Sequence, residues 1–192
     1  MLTGWSTVEA EEFARLIQEV HAARQSELHE RWDRSLPFQD AIFDRWARAR
    51  RLGFGAGASI YESAAVFGAV TVGEQTWVGP NTLLDGSGGG LTIGAWCSIS
   101  AGVHLYTHDT VRWALSGGAV DRETAPVVIG DNTYIGPQSI VTAGTSIGSR
   151  CVVGANSFVN RDVDDATVVV GSPARVVGRV EGEGVAVRLV FE

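Results

Sequence analysis

The sequence predicts an all-β solenoid, a parallel β-helix of about five coils behind a helical N-terminal cap. Three observations predict it. Between Ile129 and Val159 an aliphatic residue returns at every sixth position: Ile129, Ile135, Val141, Ile147, Val153 and Val159. Given how common Val, Ile and Leu are in this chain, that run has a chance of about 1 in 6,000, so the period is six rather than the 3.6 of a helix or the 2 of a strand. The same register recurs upstream, as Ile60, Val66, Val72, Val78 and Leu84 and then as Ile93, Ile99 and Leu105. The third observation is the 24 glycines, a content suited to a chain that turns a corner every few residues.

The elements follow in order. Ser6 and Glu9 have the spacing of a capping box, and Phe13, Leu16, Ile17 and Val20 form an apolar stripe, so a helix is expected from residue 6 to about 34. Pro37 interrupts it, and Phe38, Ile42, Phe43 and Trp46 predict a second short helix carrying the basic run Arg45, Arg48, Arg50 and Arg51. A solenoid needs its open end covered, which assigns residues 1–52 to an N-terminal cap and 53–175 to the β-helix. The break at Gly171-Ser-Pro-Ala-Arg175, followed by two valine-rich segments around Glu-Gly-Glu-Gly, predicts a hairpin or tail over 176–192.

Hexads grouped in threes make coils that start at Ile60, Val78, Ile99, Ile135 and Val153. Two excursions interrupt them, a glycine-rich one between Leu84 and Ile93 and a long polar one between Leu105 and Ile129. Both leave from the second face at the same corner of neighbouring coils, which places the Asp85 segment beside His108. Further along, the same column holds Thr142, then Asn160 and Arg161. A corner where two loops converge on an otherwise regular solenoid is the expected site.

Composition excludes other classes. A net charge of −7 argues against nucleic acid, which needs a basic face. No apolar run approaches the ~20 residues of a membrane span, and Met1 to Trp5 lack the layout of a signal peptide, so a cytoplasmic protein is expected. Cys97 and Cys151 occupy an offset where other repeats carry Ala, Thr or Ser. They lie two coils apart, about 10 Å at ~4.8 Å per coil, too far for a disulfide. They read as small inward packing residues.

The stretches LDGSGG (84–89), CSISAGVHLYTHDT (97–110), the repeats over 129–162 and GSPARVV (171–177) together resemble the hexapeptide-repeat acyltransferase superfamily. They look most like the galactoside, maltose and lipopolysaccharide O-acetyltransferase branch. The resemblance covers roughly residues 53 to 177. It implies a left-handed parallel β-helix, an exception to the right-handed crossover rule, and a homotrimer with active sites between subunits. It also implies acetyl-CoA as acyl donor and a sugar-like acceptor, with no metal.

A thioester is already activated, so such an enzyme must mainly take a proton from the attacking hydroxyl, which suits a histidine side chain at neutral pH. His108, in Tyr-Thr-His-Asp, matches the position of the family's base. His104 reads as a structural turn residue. A carboxylate should orient the imidazole; Asp109, Asp121 and Glu123 share its loop, and Glu123 is the choice. Asn81 and Asp85 are candidates for acceptor hydroxyls, with a cap on the glycine turn as the alternative role of Asp85. Tyr106, Trp77 and Trp113 are candidates to stack on a sugar face. On the donor side the resemblance carries Ala155, Asn160, Arg161 and Arg175 onto positions lining the family's CoA groove, with the arginines facing phosphates.

Competing readings are N-acetylation of an amino sugar and a non-catalytic β-helix scaffold. The γ-class carbonic anhydrases share this solenoid but need three shared histidines, and here only His104 and His108 fall within the repeats.

Overall fold

The structure is a computed structural model, and it describes residues 6–191; the reading of Met1 to Trp5 and the last residue of the predicted tail lie outside them. The chain divides into two compact units, one ending at Asp44 and one beginning at Arg45. The predicted cap, by contrast, ran to residue 52.

In the first unit, helix α1 spans Thr7–Trp32. Ser6 and Glu9 form the expected capping box: the Ser6 hydroxyl accepts the Glu9 N–H, and the Glu9 carboxylate accepts the Ser6 N–H at 2.7 Å. Asp33, in the left-handed region at φ 50°, ends it. Helix α2 (Phe38–Ile42) follows Pro37 and packs back on α1 through the edge-on contact of Phe38 with His21 at 5.2 Å. The stripe Phe13, Leu16, Ile17 and Val20 is exposed, and Leu28 is the buried residue of α1.

Where one short helix was expected over 38–46, the structure has two. Phe43 turns extended after α2, and α3 (Arg45–Arg51) starts afresh in the second unit. Ala49 and Phe54 of this segment join the solenoid core. The basic run also closes the first coil. Arg48 donates to the carbonyls of Tyr61 and Ala64, the latter at 2.7 Å, and pairs with Glu62 at 3.4 Å. Arg45 lies over the rings of Trp46 and Tyr61. Arg48 thus satisfies end-of-solenoid carbonyls that have no preceding coil to pair with.

The rest of the second unit is three columns of short parallel strands. The first face stacks Ser59–Ile60, Trp77–Val78, Ser98–Ile99, Tyr134–Ile135, Val152–Val153 and Thr167–Val170. The second stacks the start of Ala65–Val72 and of Leu83–Ile93 with His104–Tyr106, Ile140–Val141 and Phe158–Val159. The third stacks the ends of those two long strands with Val127–Ile129 and Ser146–Ile147. Along the three columns the hexad positions point inward: Ile60, Val78, Ile99, Ile135, Val153, Leu84, Leu105, Val141, Ile129 and Ile147 are all at 0–1% exposure. Burying each such side chain stabilises by about 1.5–3 kcal/mol, which is why the hexad is readable in the sequence.

The small inward offset is equally regular. Thr76 Oγ1 donates to the Gly94 carbonyl at 2.8 Å and accepts the Cys97 N–H at 3.0 Å; Thr133 Oγ1 donates to Gly148 at 2.9 Å and accepts from Cys151 at 3.1 Å. Cys97 and Cys151 sit in this column as free, buried thiols with Thr133 between them, and burial pushes both thiols up from the ordinary cysteine range.

The C-terminal segment is an antiparallel extension of the first face. Arg175–Glu181 pairs with Thr167–Val170 on one side and with Arg188–Phe191 on the other. Among the described residues, no helix is long and apolar enough to cross a membrane.

Candidate active site

The two excursions meet as the column arithmetic predicts. Leu83–Ile93 is one continuous strand rather than a loop, because its glycines let it lie flat against Ala65–Val72 with a register shift at Gly68/Val70. Its Asp85 pairs with Tyr106 in the ladder. The second excursion starts with His108–Asp109, passes through α4 (Val111–Leu115) and returns as Glu123–Thr124, antiparallel to His108–Asp109.

Along His104–Asp109 the strand alternation sets the chemistry. Leu105 and Thr107 are fully buried, while His104, Tyr106 and His108 face outward on the intervening positions. His108 Nδ1 lies 2.7 Å from Asp85 Oδ2 and 3.5 Å from Ser87 Oγ. Asp85 is 3% exposed, and its other oxygen accepts the Ser87 N–H at 2.9 Å. Burial pushes the Asp85 carboxyl up, but the Ser87 hydrogen bonds and the neighbouring His108 outweigh it and hold it below its usual value of 3.8. Asp85 is therefore a carboxylate at neutral pH. Its Oδ2 can accept only if Nδ1 carries the proton, which leaves Nε2 as the nitrogen free to act as a base.

This corrects two expectations. The carboxylate within hydrogen-bond reach of His108 is that of Asp85 rather than Glu123, and Asp85 is buried with a partner on each oxygen rather than open to the cavity. Glu123 pairs instead with Arg112 at 2.9 Å, because the antiparallel pairing sets it across from Asp109 rather than behind the imidazole.

His108 lines a cavity of about 780 Å³. Tyr106, Thr110, Thr124, Thr142 and Asn160 supply hydroxyl and amide groups to it, Asp109 and Glu123 supply carboxylates, and among the described residues no arginine lines it. The Asp109 carboxylate also accepts the Val111 N–H at 2.7 Å. Tyr106 Oη is 3.2 Å from His104 Nδ1, so His104 has a polar partner beside the cavity.

The donor-side residues divide. Asn160, Arg161 and Arg175 line a smaller cavity of about 180 Å³, and Asn160 belongs to both cavities. Arg161 and Arg175 are exposed, and among the described residues neither makes an ion pair. Ala155 lies on the corner that precedes the second face, stacked on Gly136, and lines neither cavity. Asn81 sits at the same kind of corner with φ +55°, as do Gln138 at +61° and Asn156 at +56°. Asparagine tolerates that left-handed conformation, so turn geometry accounts for Asn81, and the length of the strand separates it from His108. Trp77 is on the first face against Tyr61, and Trp113 is exposed on α4. Among the described residues, no cluster of three His, Cys, Asp or Glu is placed to hold a metal ion.

With this geometry in place, known proteins are informative. The family described as bacterial transferase hexapeptide (six repeats) matches residues 126–161. The galactoside O-acetyltransferase of Escherichia coli K12 is 27% identical over 57% of this chain and 64% of its own length. The carnitine operon protein CaiE of Salmonella agona is 30% identical over 64% of this chain and 65% of its own. The chain thus spans just under two thirds of each of these relatives. A solved hexapeptide-repeat acetyltransferase of Vibrio cholerae, complexed with acetyl coenzyme A, superposes with a TM-score of 0.65 at 28% identity, covering 85% of this chain and 89% of that one. These matches bear out the resemblance to the hexapeptide-repeat acyltransferases.

Proposed function

We propose that this hexapeptide-repeat chain is an acetyltransferase that moves the acetyl group of acetyl-CoA to a hydroxyl of a sugar or similar polyhydroxylated acceptor. The observation that carries the proposal is the His108 imidazole, held through Nδ1 by buried Asp85 at 2.7 Å on the wall of the larger cavity.

Transfer is direct. His108 Nε2 takes the proton of the acceptor O–H as the oxygen attacks the thioester carbonyl carbon. The C–S bond then breaks, and the proton on His108 passes to the departing sulfur to give free CoA thiol and the acetyl ester. No covalent enzyme intermediate and no metal are required. Asp85 keeps Nδ1 protonated and stabilises the imidazolium that forms transiently.

The cavity walls support the acceptor class. Tyr106, the threonine hydroxyls and Asn160 are hydrogen-bonding partners for a polyol, and the Asp109 and Glu123 carboxylates disfavour an anionic acceptor. Donor phosphates fit the exposed guanidiniums of Arg161 and Arg175, and Asn160 marks the passage of the pantetheine arm between the two cavities. The acetyl-CoA complex of the Vibrio relative and the galactoside activity of the Escherichia relative are the precedents. Ala155 stands apart from both cavities, so its backing as a donor contact comes from the resemblance alone.

The same reading takes the solenoid as a left-handed β-helix of about five coils, closed at its N-terminal end by α3 and assembled as a homotrimer whose sites lie between subunits. The reading takes the protein as cytoplasmic, in keeping with acetyl-CoA as its donor. A second reading, N-acetylation of an amino sugar, is favoured by the carboxylates of Asp109 and Glu123, which suit an ammonium group.

Calorimetric titration with acetyl-CoA tests the donor half. Micromolar binding that the Arg161→Ala/Arg175→Ala double variant loses is expected, and no binding to the folded wild type would favour the scaffold reading. Thiol release with a sugar and with the corresponding amino sugar then separates O- from N-transfer.

A further inference from the structure

We infer that Thr107 is a positioning residue that sets the geometry of the His108–Asp85 pair, clamping the segment that carries the acid to the strand that carries the base. Its kinetic consequence rests on the acyl-transfer reading above, whereas the clamp itself is measurable without substrate.

Thr107 is fully buried, on the inward position between Tyr106 and His108. Its Oγ1 donates to the Asp85 carbonyl at 2.7 Å and accepts the Gly88 N–H at 2.8 Å. One oxygen therefore ties both ends of the Asp85–Gly88 segment. Within that segment the Ser87 N–H fixes Asp85 Oδ1, so the clamp dictates where Oδ2 meets His108 Nδ1. The Thr107 carbonyl accepts the Ala125 N–H at 3.0 Å, which anchors the far wall of the cavity to the same residue.

The fit leaves no slack. A Cβ on Gly88 would stand 2.2 Å from the Thr107 carbonyl oxygen and 2.7 Å from His108 Cβ, so only glycine lets the acid segment lie this close to the base. The hydroxyl is required as well as the volume. Valine would fill the same space but strand two buried backbone groups, the Gly88 N–H and the Asp85 carbonyl. Aspartate and histidine would still be present, yet the carboxylate would no longer be held to one place.

Long-range ¹H–¹⁵N spectra of the His108 ring in alkaline buffer, where histidines are neutral, read the clamp directly. Wild type and Thr107→Ser should show one tautomer with the proton on Nδ1, and Thr107→Val should show a mixture. The valine variant should also lose about tenfold in kcat while its KM for acetyl-CoA is unchanged, with serine restoring kcat to within twofold. A folded valine variant that keeps the single tautomer overturns the inference, whether or not its turnover falls. If valine prevents folding, Thr107→Ala makes the same test, because it also removes the hydroxyl and the solenoid already accommodates a small inward alanine at 64. A wild-type protein that transfers no acetyl group would defeat the functional reading and leave the tautomer result standing.

Discussion

The regular run from Val127 to Val169 and the interrupted corner from Asp85 to Ala125 use the same device for different ends. In the regular run a small inward hydroxyl bridges neighbouring coils. Thr133 donates to Gly148 and accepts from Cys151, and Ser139 donates to Gly154 and accepts from Ser157. At the corner Thr107 makes the same two bonds, but to the segment bearing Asp85. In one region the bridge only joins coils that are already in register. In the other it holds an excursion in place, and the outward residue beside it carries an imidazole 2.7 Å from a buried carboxylate. The proposed site falls where the register breaks and the bridging survives.

The contrast can be sharpened by substitution. The largest effect is expected from Asp85→Asn, which keeps the shape of the side chain but removes the charge that fixes the His108 tautomer. Turnover should fall by about 10²-fold, read from steady-state thiol release, with acetyl-CoA affinity unchanged. Turnover within twofold of wild type would return the orienting role to another group.

The same variant tests the charge by pH. The folded-state value of Asp85 is depressed below 3.8, so its carboxylate contributes stability that is fully present above 3.8 and is lost as pH falls through the lower folded value. The stability difference between wild type and Asp85→Asn should therefore shrink as denaturation is measured from neutral pH down through that window. A constant difference would mean that the ionised form gains nothing in the fold.

A smaller effect, of a different kind, is expected in the regular run. Thr133→Val strands a buried N–H and a carbonyl and should cost about 1–3 kcal/mol in denaturant unfolding. Because Thr133 lies on the corner between the third and first faces, kcat should not change. An equal loss of turnover would erase the distinction between the two regions.

Much of this was legible in the sequence. Inward positions admit only aliphatic or small residues, so Ile135, Val141 and their neighbours announce the six-residue period, and counting hexads places Asp85 beside His108. What the count could not supply was which carboxylate meets the imidazole. Glu123 is close in the chain, but chain proximity misleads here, because the antiparallel pairing turns it toward Arg112. Asn81 reads as a recognition residue until its positive φ shows what the corner requires. In the sequence the arginines of α3 are only a basic run on a short helix, and the carbonyls of Tyr61 and Ala64 reveal Arg48 as a closure of the first coil. Thr107, two residues past Leu105, lies outside the hexad offset of Thr76 and Thr133, and its role depends on a partner segment that has left the repeat.

The most direct test lies at His108. Steady-state thiol release should be compared between wild type and His108→Ala, with acetyl-CoA binding measured on both. A fall in turnover of 10²-fold or more with donor binding intact is the expected result. Wild-type turnover in the alanine variant would contradict the assignment of His108 as the base.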